Sequence, residues 1–209
     1  MPTINIAPTR TNLIRIRKDL QFAREGYEIL DRKREALTTE LVRVAREAEQ
    51  VQKKVWKLME AAYASMRKAR LTLGTDHIEW AALAANKTVD LRMKFRGIMG
   101  VAIPVIEASG EPPAMLYSLG DTNASLDEAV VNFKEVLLLT PELSMLVTTV
   151  WRLAGELRKT QRRVNALQHI FIPAYEAMVA FIVSSLEERE REETFRLKWL
   201  KTKLIRQAS

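Results

Sequence analysis

The sequence predicts a mainly α fold: a long antiparallel two-helix left-handed coiled coil formed by the N- and C-terminal helices, with a small central region containing a short helix and a β-hairpin. Three observations predict it. Apolar residues recur at alternating steps of three and four through both ends of the 209-residue chain, which is the spacing of a helix that keeps one stripe on a partner. The seven Gly and seven Pro are few for this length and half of them gather between positions 97 and 120, so irregular structure belongs to the centre. Beside that cluster, a short run alternates apolar and charged residues, as a half-buried strand does. The expected divisions are 1–74 for the first coiled-coil helix, 75–124 for the centre and 125–209 for the return helix.

Residues 1 to 8 have no period, and Pro2 and Pro8 discourage helix, so the chain should enter in extended form with Thr9 or Thr11 as the first cap. The seam then reads Leu13, Ile16, Leu20, Ala23, Tyr27, Leu30, Leu37, Leu41, Val44, Ala48, Val51, Val55, Leu58, Ala62 and Ala69. Only Arg34 and Ser65 fall in seam positions without an apolar side chain. A mean period of 3.5 over about eight heptads demands left-handed supercoiling. At about 1.5 Å per residue the helix is a rod of roughly 85 Å. Arg34 should fix register by pairing with acids of the opposing helix, in the stretch from Glu187 to Glu193.

The helix should fray near Gly74. Asp76 with Glu79 forms a capping pattern that opens a short helix to about Asn86. Val89, Leu91, Met93 and Phe95 alternate with Asp90, Arg92, Lys94 and Arg96 as a strand; Gly97 to Gly100 turns, and Val101 to Glu107 returns with Pro104 at an edge. A lone hairpin is marginal in water, so it must lean on the helices or on a partner. Residues 109 to 123 read as loop. Ser125-Leu126-Asp127-Glu128 is a capping box for the return helix, which should kink at Pro141 and continue. Its seam reads Leu143, Leu146, Val150, Leu153, Leu157, Thr160, Val164, Leu167, Phe171, Ala174, Met178 and Phe181, and apolar positions resume at Leu197, Leu200 and Leu204.

Composition narrows the function. There is no Cys, hence no disulfide and no thiolate metal site, and the amino terminus has no signal-peptide pattern. No uninterrupted apolar run approaches the roughly 18 residues that span a bilayer, so a soluble, cytoplasmic chain without direct membrane insertion is expected. The net charge of +7 is uneven. Residues 1 to 75 carry 16 Lys and Arg against 9 Asp and Glu, 76 to 125 carry 4 against 6, and 126 to 209 carry 13 against 11. Even in the first segment acids interrupt bases, as on a solvated helix, so nucleic acid is not the expected partner.

Catalytic signals are weak. His77 and His169 have no carboxylate or Cys partner at ligand spacing. Gly155-Glu156-Leu157-Arg158-Lys159-Thr160 lacks the glycine a phosphate loop needs and lies inside the heptad helix, where backbone N–H groups are already bonded. No cofactor, metal or catalytic residue is expected. The run from Glu187 to Glu193 reads as i to i+4 pairs with Arg189 and Arg191 on an exposed helix. Arg10, Arg15, Arg17, Lys18, Arg162, Arg163 and Asn165 are the candidates for contact with protein partners, with Asn165 the one expected to bond across to another chain.

Pro8-Thr9-Arg10 before the basic heptads, Gly26-Tyr27-Glu28-Ile29-Leu30 leading to Lys33-Arg34-Glu35-Ala36-Leu37, Arg162-Arg163-Val164-Asn165-Ala166-Leu167 through Ile172-Pro173, and Glu188-Arg189-Glu190-Arg191-Glu192-Glu193 before Phe195-Arg196-Leu197-Lys198 span both long helices. In these blocks the chain closely resembles the D subunit of the V/A-type (vacuolar and archaeal-type) rotary ATPases. The centre, from about 75 to 126, matches only in character. The resemblance implies a non-catalytic rotor shaft standing inside a hexamer of catalytic and regulatory nucleotide-binding subunits. It also implies a small partner, the F subunit, on the shaft's flank and an adaptor to the membrane ring at its lower end. Torque would pass between ATP chemistry and proton or sodium transport, at the cytoplasmic face of the membrane. A self-associating coiled-coil scaffold, a basic nucleic-acid binder and an ATPase are the competing readings.

Overall fold

The computed structural model of the chain describes residues 7–84, 89–110 and 122–208. In order these are α1 (Arg10–Leu73), α2 (Thr75–Ala84), β1 (Val89–Ile98), β2 (Val101–Gly110), α3 (Ala124–Ala166), a π-helical turn (Leu167–Phe171) and α4 (Ile172–Ala208). Long terminal helices with a short helix and a two-stranded antiparallel hairpin between them are what the pattern predicts. The expected end of α2 at Asn86, and most of the expected loop, lie outside the described residues. The chain divides into two compact units, one of Met1–Glu35 with Arg158–Ser209 and one of Ala36–Leu157.

In the first unit the start of α1 runs antiparallel to α4. Arg10 Nη2 meets Glu190 Oε1 at 2.6 Å and Arg24 Nη2 meets Glu176 Oε1 at 2.6 Å. Fourteen residues up one helix therefore match fourteen down the other, an interval of two heptads. Ile16, Ala23, Thr160, Val164 and Ile182 are buried between these segments, with Leu13, Leu20, Leu30, Leu167 and Met178 half-buried. Thr9 caps α1: its Oγ1 accepts the Asn12 N–H at 3.3 Å, and Asn12 Nδ2 donates to the Ala7 carbonyl. Arg34 pairs with Asp31 on its own helix at 2.7 Å. The expected pairing with the 187–193 acids fails on register, because Glu190 stands against Arg10, 24 residues away from Arg34.

The π turn is the main departure from a uniform helix. Pro173, second residue of α4, has no N–H, and its ring crowds the carbonyl four residues back. Widening the helix makes room, and the Ile172 N–H reaches five residues back to the Leu167 carbonyl. The inserted residue moves the stripe on by one. Ile182 is 1% exposed, whereas Phe171 and Phe181, placed in the seam by strict heptad counting, are 48% and 60% exposed.

In the second unit, Leu37, Val44, Ala48, Leu146 and Leu153 of α1 and α3 form one core with Val101 and Ile103 of the hairpin; Leu41, Val51, Val150 and Leu157 pack against it. Val55 is buried further along. Tyr63 and Phe133 meet edge to face with centroids 5.4 Å apart. A second core joins Ala69, Ile78, Ala81 and Leu126, with Met66 and Leu73 against it. Gly74, at φ +79, ends α1 and turns the chain straight into α2. Ser65 is buried in the seam, and its Oγ donates to the Ala61 carbonyl at 3.1 Å, so no hydroxyl is orphaned there.

The return helix starts on a different cap from the one expected. Asn123 Oδ1 accepts the Leu126 N–H at 3.0 Å while its Nδ2 donates to Thr72 Oγ1 near the end of α1. Ser125 is already inside the first turn. Helix α3 runs through Pro141. One composition reading is corrected. Ala124–Leu204 contains an 18-residue stretch long and apolar enough, by length and composition alone, to cross a membrane, and almost none of it is buried. Counting only uninterrupted apolar residues missed it.

Leu153→Ala should cost about 2–5 kcal/mol, because a side chain with no exposed surface leaves a cavity between helices. Leu138→Ala, on an exposed position of the same helix, should cost far less. Urea unfolding of the two variants measures the difference.

Candidate functional site

Among the described residues, no group of three or more His, Asp or Glu stands close enough to hold a metal ion. His77 lies exposed on α2 and His169 exposed in the π turn. The segment from Gly155 to Thr160 is inside α3, with its N–H groups committed to the helix. The residues expected to contact partners lie on two surfaces.

The first lies at the end of the unit that holds both termini. Arg15, Arg17 and Lys18 are exposed on α1. Arg10 is committed to Glu190, and Arg189 Nη1 donates to the Pro8 carbonyl at 3.0 Å. The charge run therefore does more than make pairs along its own helix. Arg191 with Glu188 and Arg196 with Glu192 are such pairs, at 3.8 and 3.9 Å, while Glu190 reaches across to α1 and Arg189 to the segment just before it. Arg162 and Arg163 are exposed on the last turns of α3. Asn165 is exposed too, but its Oδ1 accepts from Gln161 Nε2 at 2.8 Å, one turn back on the same helix.

The second is the hairpin. Its turn is Met99-Gly100, both at positive φ (50° and 81°), a two-residue connection of the kind whose twist suits antiparallel strands. The strand thus runs on through Gly97, where the turn was expected to begin. Cross-strand partners share a face. Ile98 with Val101, and Arg96 with Ile103, put three apolar residues of one face into the helix core. The opposite face carries Leu91, Met93 and Phe95, which are 59–63% exposed. The expectation of a half-buried strand therefore fails at Leu91, Met93 and Phe95, which are exposed, although Pro104, the cross-strand partner of Phe95 on that face, is buried. Arg152 fixes this attachment. Its Nη1 donates to the Ala102 carbonyl at 2.6 Å, and its guanidinium lies 5.7 Å from the Phe95 ring centroid. Periodicity could not reveal that contact, because Arg152 and Ala102 are 50 residues apart.

Along α1 in the same unit, Arg43 bridges Glu40 and Glu47, with N···O distances of 2.5 and 2.6 Å. The hydrogen bond from Arg43 holds the Glu40 carboxyl below its usual range. A lowered pKa stabilises the fold above the unfolded-state value, and that contribution is lost as pH falls through the folded-state value. For a pair this exposed, solvent screening leaves the effect small.

Residues 12–202 match the family model that describes the ATP synthase D subunit. The V-type ATP synthase D subunit of Thermotoga neapolitana is 38% identical over 203 residues, covering 97% of this chain and 100% of that protein. The A-type ATP synthase D subunit of Thermococcus gammatolerans is 37% identical over 201 residues, covering 95% and 94%. The V-type ATP synthase D 2 subunit of Treponema pallidum is 37% identical over 198 residues, covering 95% of each.

Arg152→Ala should loosen the hairpin and leave the helices intact. Amide hydrogen exchange in residues 89–110 should quicken by roughly one to two orders of magnitude, on the scale of losing a charge-assisted hydrogen bond of about 1.5–3 kcal/mol, while the buried amides of α1 keep their protection.

Proposed function

The chain belongs to the ATP synthase D-subunit family, and from that premise we propose that it is the non-catalytic central rotor shaft of a V/A-type ATPase or ATP synthase. It passes torque between nucleotide chemistry in a hexameric head and proton or sodium movement through a membrane ring. Residues 1–74 and 125–209 make the shaft, and 75–124 hold the central short helix, hairpin and loop. Its partners are the catalytic and regulatory nucleotide-binding subunits, the small F subunit and the adaptor of the membrane ring. It works at the cytoplasmic face of the membrane, as a peripheral part of the complex.

The observation that carries this reading is the antiparallel zipping of the chain's first and last segments by Arg10 with Glu190 and Arg24 with Glu176. Two helices joined through a shared apolar stripe and cross-helix ion pairs resist relative sliding and twisting better than one. A single asymmetric body among three equivalent sites cannot touch them alike, so its angle biases which site is open. By linkage the occupancy of the sites must in turn bias that angle. Turning is then the mechanical form of the coupling, and this chain needs no reactive group to perform it.

Affinity purification of the full chain from its native cells should recover the nucleotide-binding subunits, identified by mass spectrometry. Recovery of this chain alone, as a homo-oligomer, would favour a self-associating scaffold instead. Reversing Arg15, Arg17 and Lys18 to Glu, with Arg10 left in its pair, should reduce ATP-driven ion pumping several-fold while the chain still assembles. Unchanged pumping would remove the terminal basic surface from the coupling.

A further inference from the structure

We infer that the outer edge of the hairpin docks an extended segment of another protein, one in which acidic and apolar residues alternate, and that this segment adds to β1 as a third strand. The inference goes beyond the shaft reading and needs none of it. The two strands of the hairpin are not equivalent. On β2, Val101, Ile103 and Pro104 are buried and Arg152 holds the Ala102 carbonyl, so β2 is the inner strand, laid against the helices. On β1 every residue from Asp90 to Gly97 is exposed, whichever face it belongs to.

The register tells which backbone groups of β1 are left over. In an antiparallel ladder, pairs that bond each other alternate with pairs whose N–H and C=O groups point away from the partner strand. Ile98 and Val101 close the two-residue turn as a bonded pair. Counting back by twos, Arg96, Lys94 and Arg92 are bonded inward to β2, and Gly97, Phe95, Met93 and Leu91 present their N–H and C=O groups outward. The same count makes Ala102, partner of Gly97, an outward position on β2, and its carbonyl does turn away to accept from Arg152. Pro104 is outward too, where its missing N–H removes no ladder bond. Among the described residues, no hydrogen bond reaches the four outward positions of β1. They form a row of donors and acceptors that an added strand completes.

Charge selects the occupant. Side chains alternate along β1, with Arg92, Lys94 and Arg96 on one face and Leu91, Met93 and Phe95 on the other. Lys94 Nζ lies 3.3 Å from Glu107 Oε1, but Glu107 belongs to β2 and stands one strand further from an added chain. A second copy of β1 on this edge would set cations against cations, which is destabilising. Nor does the chain hold a matching segment of its own, since nowhere in it do acidic and apolar residues alternate over four consecutive positions. The occupant is therefore part of a different protein, with Asp or Glu beside the cations and aliphatic residues beside the apolar row. Asp90, next on the cationic face, ends that row, so the acids belong beside Arg92 to Arg96 and not beyond.

The test uses the full chain, with a capped synthetic peptide of alternating valine and glutamate as the probe. On adding it, amide exchange followed by NMR should slow at least tenfold at the outward N–H groups of Leu91, Met93, Phe95 and Gly97. The amides of Arg92, Lys94 and Arg96, already bonded to β2, should change little. A peptide with lysine in place of glutamate should bind at least tenfold more weakly, as should the glutamate peptide to the double variant Arg92→Glu, Arg96→Glu. Met93→Pro removes an outward N–H and no ladder bond, so it should keep the fold and lose the peptide. The docking edge is overturned if the glutamate peptide fails to bind, binds without slowing the outward amides, or binds Met93→Pro as tightly as wild type. Equal binding of the lysine peptide overturns it too. A photo-crosslinking residue at Met93, in native cells, should mark a segment of alternating acidic and apolar residues; marking a second copy of this chain, a helix or lipid would contradict the inference. Should Met93→Pro disturb the hairpin, the amide pattern of the wild-type chain decides.

Discussion

The structure depends on one constraint: apolar residues at three-four spacing near the start of the chain have to find their counterparts more than a hundred residues later. Neither segment could bury its stripe alone, since a single helix with one apolar face exposes that face to water. In the first unit Ile16 and Ala23 are covered against Val164 and Ile182, and in the second Leu37, Val44 and Ala48 against Leu146 and Leu153. Burial of this kind, at about 25 cal/mol per Å² of apolar surface, dominates the exposed ion pairs, which add little individually. The ion pairs matter for alignment. Arg10 with Glu190 and Arg24 with Glu176 define a single antiparallel register.

That constraint also explains what the centre of the chain is for physically. A two-stranded hairpin is not self-supporting, and this one is held at its turn end by Ile98, Val101 and Ile103, with Arg152 as a polar strap. The same attachment leaves Leu91, Met93 and Phe95 facing outward. Helix α2 is held likewise, through Ile78 and Ala81 against Ala69 and Leu126. The second unit therefore serves as a scaffold on which short elements are mounted, while the first unit is little more than the helix pair.

Much of this was legible in the sequence, and the failures have specific causes. Element types follow from period, so α1, the hairpin and the return helix were readable from spacing. Buried positions in α1 fall on the predicted stripe, and even Ser65 keeps its place by bonding its own helix. The stripe in α4 went wrong by one residue because a heptad count has no means of knowing that Pro173 forces a π turn ahead of it. The exposure of Leu91, Met93 and Phe95 was missed because alternation tells which residues share a face but not which of them meet the helices. Arg152's role depends on tertiary contact alone. The contact candidates Arg15, Arg17, Lys18, Arg162, Arg163 and Asn165 were legible as exposed polar residues, but the open edge of β1 was not, since it emerges only once Val101, Ile103 and Pro104 are seen buried on the strand beside it.

In the proposed role the chain works by turning, and the rotation itself is the most direct thing to observe. In the intact complex, fixed to a surface by its nucleotide-binding head, a gold particle attached through a cysteine introduced in the β1–β2 turn should rotate in one direction when ATP is supplied, in steps that reflect a threefold head. A particle that stays still while the same complexes hydrolyse ATP and pump ions would contradict the account.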